Sequence, residues 1–212
     1  NPPTISDIPD QVVNEDATTN VSFIVTDGDG GSTNLTVTPS TLDPQIVQGF
    51  TWTDSDGTNR AFDIELVPDA FGTGRVDVVV DDGSDGSVTD RFDVVVLPVN
   101  DAPTLSAIAN QRINEGTDTG ELDFTVNDID PDDLPGSLNL NGFSTNPSLV
   151  PPGNIAFGGS GSNRTVTVTP FDHSNGVTHI DIVVDDGELY TTNRFRLRVD
   201  ALPDDPIVSG DL

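Results

Sequence analysis

The chain has 212 residues, a formal net charge of −28 and no cysteine. Its basic residues are all arginine, and a surface this acidic repels phosphate backbones and anionic lipid, which disfavours nucleic-acid and membrane-surface partners. The missing cysteine rules out disulfides and thiolate metal sites, the missing lysine rules out Lys–Asn isopeptide cross-links, and no apolar run approaches the ~18 residues of a membrane span.

From the N-terminus, short runs alternate at period two between clusters of Gly, Asn, Asp and Pro, which predicts strands. Strand A is expected over roughly 5–13, B over 20–26, C over 33–38, D over 45–53, E over 60–67, F over 75–81 and G over 88–98. Then comes Val99-Asn100-Asp101-Ala102-Pro103-Thr104, a longer version of the opening Asn1-Pro2-Pro3-Thr4. After it the pattern restarts, with strands near 105–113, 121–127, 137–141, 148–157, 163–169, 178–185 and 189–200. The restart matches in detail: Asn14-Glu15 against Asn114-Glu115, Asn59-Arg60 against Asn163-Arg164, and Asp81-Asp82-Gly83 against Asp185-Asp186-Gly187. A period near a hundred residues marks an array of domains. The expectation is therefore an all-β chain: two tandem seven-stranded Greek-key β-sandwiches, residues 1–100 and 101–212, joined by a short linker. Alternation puts Val21, Phe23, Val25, then Val76, Val78, Val80, then Phe92, Val94 and Val96 in the first core. Leu122, Phe124, Val126, Ile180, Ile182, Val184, Phe195, Leu197 and Val199 are their partners in the second.

Strand direction places the acids. If A runs down, the loop after B and the F–G turn lie at the top of each domain, and the end of A and the E–F loop lie at the bottom. The top loops carry Asp27, Asp29 and Asp82 in the first domain and Asp128, Asp130 and Asp186 in the second. The first domain's bottom carries Glu15 and Asp69, and the linker adds Asn100 and Asp101. This set is expected to converge at the junction, where the carboxylates would repel one another unless a cation sat among them. Ca²⁺ takes six to eight oxygens from carboxylates and carbonyls, whereas Mg²⁺ keeps its waters and a strict octahedron. Asp27, Asp29 and Asp82 would form one half-site and Glu115, Asp172 and Asp204 another, each completed by a neighbouring repeat.

These residues carry a resemblance. The chain resembles cadherin-type repeats in the divergent form found in large bacterial surface and secreted proteins. That pattern has a Glu at the end of strand A, a D-x-D after B, an acidic E–F loop, an Asp-containing F–G turn and a D-x-N-D-x-x-P linker. Glu15, Asp128 with Asp130, Asp69, Asp186, and Asn100, Asp101 and Pro103 match it in turn. Leu97-Pro98 and Ala102 depart from the linker pattern, and the E–F loop has one acid, so fewer ions are implied than in a full cadherin junction. The resemblance implies a Ca²⁺-rigidified extracellular spacer or adhesion segment of a larger bacterial surface or secreted protein. Its partners would be neighbouring repeats, with the same protein in trans or a polysaccharide as further partners.

Two other readings compete. One is a carbohydrate-binding accessory module, for which Trp52 is the aromatic probe. The other is the subunit of a Ca²⁺-dependent filament or surface layer. An enzyme is the least supported reading. No H-E-x-x-H, G-x-S-x-G or phosphate loop is present, and Gly158-Gly159-Ser160-Gly161 leads into a strand rather than a helix. Asp54-Ser55-Asp56-Gly57 lacks the distal Glu of an EF-hand loop, and His173 and His179 have no second His at ligand spacing.

Overall fold

The computed structural model describes residues 1–28, 34–84 and 86–203. The chain divides into two compact units, Asn1–Val99 and Asn100–Leu212. In unit 1 the strands are β1 (Thr4–Ile5), β2 (Gln11–Asn14), β3 (Thr19–Thr26), β4 (Thr36–Thr41), β5 (Val47–Asp54), β6 (Asn59–Leu66), β7 (Gly72–Asp81) and β8 (Ser87–Leu97). Unit 2 repeats them as β9 (Thr104–Leu105), β10 (Gln111–Asn114), β11 (Leu122–Asn127), β12 (Asn139–Ser144), β13 (Ile155–Ser160), β14 (Asn163–Val168), β15 (Gly176–Asp185) and β16 (Tyr190–Asp200). Each unit packs two four-stranded sheets, ordered β1-β3-β6-β5 and β2-β8-β7-β4 in the first, with β9-β11-β14-β13 and β10-β16-β15-β12 in the second. This is an Ig-like sandwich, and the alternation at period two agrees with its half-buried strands.

The predicted core residues are buried, with Val25, Val76, Val78, Val80, Ile180, Ile182 and Val184 fully so. Leu122 alone of that set is only partly buried, packing against the core from its edge. Each unit has its own core, and each large apolar side chain removed from water contributes roughly 1.5–3 kcal/mol to it. Trp52 also belongs to the core edge: its ring meets Phe62 edge-on at 5.5 Å.

Three expectations are corrected. Strand A is not continuous over 5–13 or 105–113. It breaks into β1 and β2, and into β9 and β10, because the chain changes sheets there: β1 runs antiparallel to β3, while β2 runs parallel to β8. The crossing segment keeps its hydrogen bonds through side chains, with Asp90 Oδ2 accepting from the Ile8 N–H at 2.9 Å and Asp10 Oδ1 from the Asp93 N–H at 2.8 Å. Asn110 repeats the second bond with the Arg196 N–H at 2.7 Å. Second, strand D of unit 2 starts at Ile155, not near 148. Leu149 and Val150 are buried by a turn, and Pro151-Pro152 leads into a single 3₁₀ turn rather than a ladder. Third, strand C runs later than expected in both units, over Thr36–Thr41 and Asn139–Ser144. Apolar alternation is weak there, so register comes from pairing with β7 and β15.

Candidate metal centre

In unit 2, Thr104 of β9 pairs with Asn127 of β11, so the chain enters the sandwich beside the loop that leaves β11. Asp185 of β15 pairs with both Tyr190 and Asn139, which puts the β15–β16 turn at an end of the neighbouring sheet. The hydrogen bonds then join three segments. Asn100 Nδ2 donates to Asp186 Oδ2 at 3.2 Å, and the Asp101 N–H donates to Asp130 Oδ2 at 2.7 Å. The Asp130 N–H donates to Asp128 Oδ1 at 3.1 Å. Thus Asn100, Asp101, Asp128, Asp130 and Asp186, expected together from sequence, are gathered at one end of unit 2.

Part of this arrangement is ordinary turn chemistry. Asp128 Oδ1 shapes its own loop, and Asp186 Oδ1 accepts the N–H groups of Glu188 and Leu189 at 2.6 and 2.7 Å. Turn chemistry leaves one atom unexplained. Asp128 is 8% exposed, and its Oδ2 is buried without a hydrogen-bond partner among the described residues. A buried carboxylate oxygen with no donor costs more than a lost hydrogen bond, unless a cation takes it. The electrostatics agree. Burial, and then the charges of Asp128, Asp186 and Asp130, push the carboxyl of Asp133 above its ordinary value. For Asp186, burial acts in the same direction but is outweighed by the hydrogen bonds from Leu189, Glu188 and Asn100, which hold its carboxyl low. The carboxylates of Asp101, Asp128, Asp130 and Asp186 are hard, anionic oxygen donors of the kind Ca²⁺ takes, and Asn100, whose Nδ2 is given to Asp186, has a neutral amide oxygen to add.

Within unit 1, Glu15 is 3% exposed and follows β2. Its N–H donates to the Leu97 carbonyl at 2.9 Å and its Oε1 accepts from the Val99 N–H at 2.6 Å. Glu115 does the same in unit 2, with the Asp200 carbonyl at 2.9 Å and the Leu202 N–H at 2.6 Å. In both repeats the glutamate therefore clamps the outgoing chain. Asp69 is exposed with φ of 54°, and its N–H points to Asp16 Oδ1 at 3.4 Å. Its counterpart in unit 2 is His173, which has the same φ of 54°, and not Asp172. The hydrogen bonds agree: the Val67 and Phe171 N–H groups donate to Ile46 and Leu149, and Ala70 and Ser174 close the same turn. Of the expected half-site of Glu115, Asp172 and Asp204, Asp172 thus stands one residue before the position equivalent to Asp69, and Asp204 lies outside the described residues.

The other half-site is less built. Asp82 Oδ1 accepts from Ser84 at 2.8 Å and Gly86 at 3.3 Å, a turn role. Asp27 follows β3 at the same end of the sandwich, but no third carboxylate groups with the pair among the described residues. Asp29 lies outside the described residues. Sequence reasoning missed Asp133 and Asp16. Their signals were adjacency alone: Asp133 in the run Asp130-Pro131-Asp132-Asp133, and Asp16 next to Glu15.

No curated protein matches the chain. Among solved structures, the human desmocollin-1 ectodomain is 12% identical over 95% of this chain and 41% of its own, with a TM-score of 0.54; at that identity the likeness speaks for the fold alone. Titin domains Z1Z2, solved in complex with telethonin, are 15% identical over 95% of this chain and 98% of theirs, with a TM-score of 0.39. The Ig1-2 module of the Drosophila receptor tyrosine phosphatase DLAR is 12% identical over 94% and 100%, with a TM-score of 0.37. At the level of sequence, residues 100–196 match the family model of the bacterial Ig domain, so the second unit is similar to that family.

Proposed function

We propose that the chain is a Ca²⁺-stiffened spacer or adhesion segment of a larger secreted or cell-surface protein. In this reading Ca²⁺ is held by Asp128, Asp130, Asp186, Asn100 and Asp101 of unit 2. Glu15 joins through the linker, because the peptide N–H it holds belongs to Val99, next to Asn100. The observation that carries the reading is the buried Oδ2 of Asp128, inside a group of acids and without a hydrogen-bond partner among the described residues. A metal held there would lock the linker from its C-terminal side while Glu15 locks it from the N-terminal side. Extracellular modules bind Ca²⁺ with Kd of about 0.1–1 mM, which functions where the free ion is abundant, outside the cell. Ig-like tandems are usually structural rather than enzymatic, and that supports a mechanical role.

Isothermal titration of the whole chain with CaCl₂ tests this reading. Saturable binding is expected, weakened by Asp128→Asn; no binding by the wild type at millimolar Ca²⁺ would sink it. The competing glycan reading through Trp52 is not favoured, since that ring is packed against Phe62.

A further inference from the structure

The outward face of the β10-β16-β15-β12 sheet of unit 2 differs from the same face in unit 1. Strand registers make the comparison residue by residue. Val12, Ser40, Ser87, Asp93 and Val95 in unit 1 stand where unit 2 has Arg112, Phe143, Tyr190, Arg196 and Arg198. Arg91 is repeated as Arg194. Unit 1 keeps this face balanced, with Arg75 on Asp93 at 3.0 Å and Arg91 on Asp77 at 2.6 Å. Unit 2 places four of the chain's eight arginines here, against Asp181, Asp185 and Asp200. Arg194 is held by Asp181, and Asp200 is shared by Arg112 and Arg198. Arg196 is exposed, and its guanidinium has no hydrogen bond or ion pair among the described residues.

A local surplus of arginine on a chain of net charge −28 is opposite to the rest of its surface. Arg194, Arg196 and Arg198 form a row about 13 Å long on β16. The same strand face carries Tyr190, 67% exposed, and β12 adds Phe143, 54% exposed. An exposed sheet face with a cationic row and two bare aromatic rings fits a chain that alternates anionic groups with apolar ring faces. We infer that this face binds an acidic polysaccharide, carboxylated or sulfated: the arginines take its anions and the aromatics stack on its sugar rings. A slender polyanion keeps its charge along the face, within about one Debye length of ~10 Å, where the arginines dominate. A second copy would bring its whole acidic surface, and a nucleic-acid duplex a charge every ~1.7 Å.

The test is affinity electrophoresis of the whole chain in EGTA, which keeps it independent of any Ca²⁺ site. The gels contain polygalacturonate, a sulfated galactan or neutral dextran. Retardation is expected with one or both acidic polymers and not with dextran. Arg196→Asp, and the triple variant Arg112→Val, Arg196→Asp, Arg198→Val, install the residues that unit 1 already carries at these positions, so the sandwich should tolerate them; circular dichroism checks this. The triple variant should be retained about tenfold less. No retardation of the wild type by either acidic polymer would overturn the proposal. So would equal retardation of the triple variant, or a wild-type dimer, absent in the variant, without polysaccharide binding.

Discussion

Asp128 is where turn chemistry and metal chemistry part. Its Oδ1 organises the loop, but its buried Oδ2 has no donor among the described residues, and burial and the neighbouring charges already push the Asp133 carboxyl up. Replacing Asp128 by Asn should therefore act with opposite signs in the two metal states. Without metal it relieves repulsion, and the melting temperature should hold or rise. With Ca²⁺ it removes a ligand, and affinity should fall about tenfold or more. Calorimetry with and without EGTA reads both; a variant destabilised equally in both states would mean a structural role only. Acid titration follows from the same charges. The Arg91 hydrogen bond holds Asp77 low, and Arg194 and Arg112 do so for Asp181 and Asp200. Groups with lowered values contribute stability that is present above the ordinary carboxylate range and lost only as pH falls through the lowered values. Asp133, raised, opposes folding once it is ionised, and acid relieves it first. The metal-free melting temperature should rise as pH falls from neutral toward about 4.5, then drop below about pH 3.5. A decline that begins directly below neutral would contradict this order. The site's loop acids were legible in the sequence because each follows a strand whose direction alternation defines. Asp133 was not, since its place depends on how residues 128–138 fold back.

At the scale of elements, alternation identified which residues face inward but not where the ladder breaks. The division of strand A is a sheet exchange, carried by Asp10, Asp90 and Asn110 through their hydrogen bonds to backbone, and such bonds leave no periodic trace. The same limit hid the arginine face. Outward positions read simply as polar until register set Asp93 against Arg196. It also shifted the E–F loop by one residue, since positive φ marks the equivalence of Asp69 and His173 where sequence favoured the nearest acid. The β13–β14 hairpin offers a direct check of local geometry. Gly159 has φ of 81°, and a Cβ there would lie 2.4 Å from the Asn163 carbonyl oxygen, a backbone atom that cannot rotate away. Gly159→Ala should destabilise unit 2 by about 1–3 kcal/mol in urea unfolding. Gly161→Ala, with φ of 59° but open space around it, should cost less. Equal costs would mean that strained φ, not the close approach, governs the turn.

At the scale of the whole molecule, the question is whether metal binding in unit 2 reaches the linker. The five proposed ligands all belong to Asn100–Leu212, so Ca²⁺ should stabilise that unit by mass action, by about 2.7 kcal/mol at a hundred times Kd. Unit 1 has its own core and should unfold at an unchanged temperature unless Glu15 takes part. Glu15→Gln separates the possibilities, because the amide keeps an acceptor for the Val99 N–H but gives up the charge. Small-angle scattering with CaCl₂ and then EGTA should show greater flexibility and a changed maximum dimension on metal removal. Glu15→Gln should show much of that flexibility even with Ca²⁺ present. If the wild-type curves coincide in the two buffers while calorimetry still reports binding, the metal belongs to unit 2 alone and Ca²⁺ does not stiffen the linker.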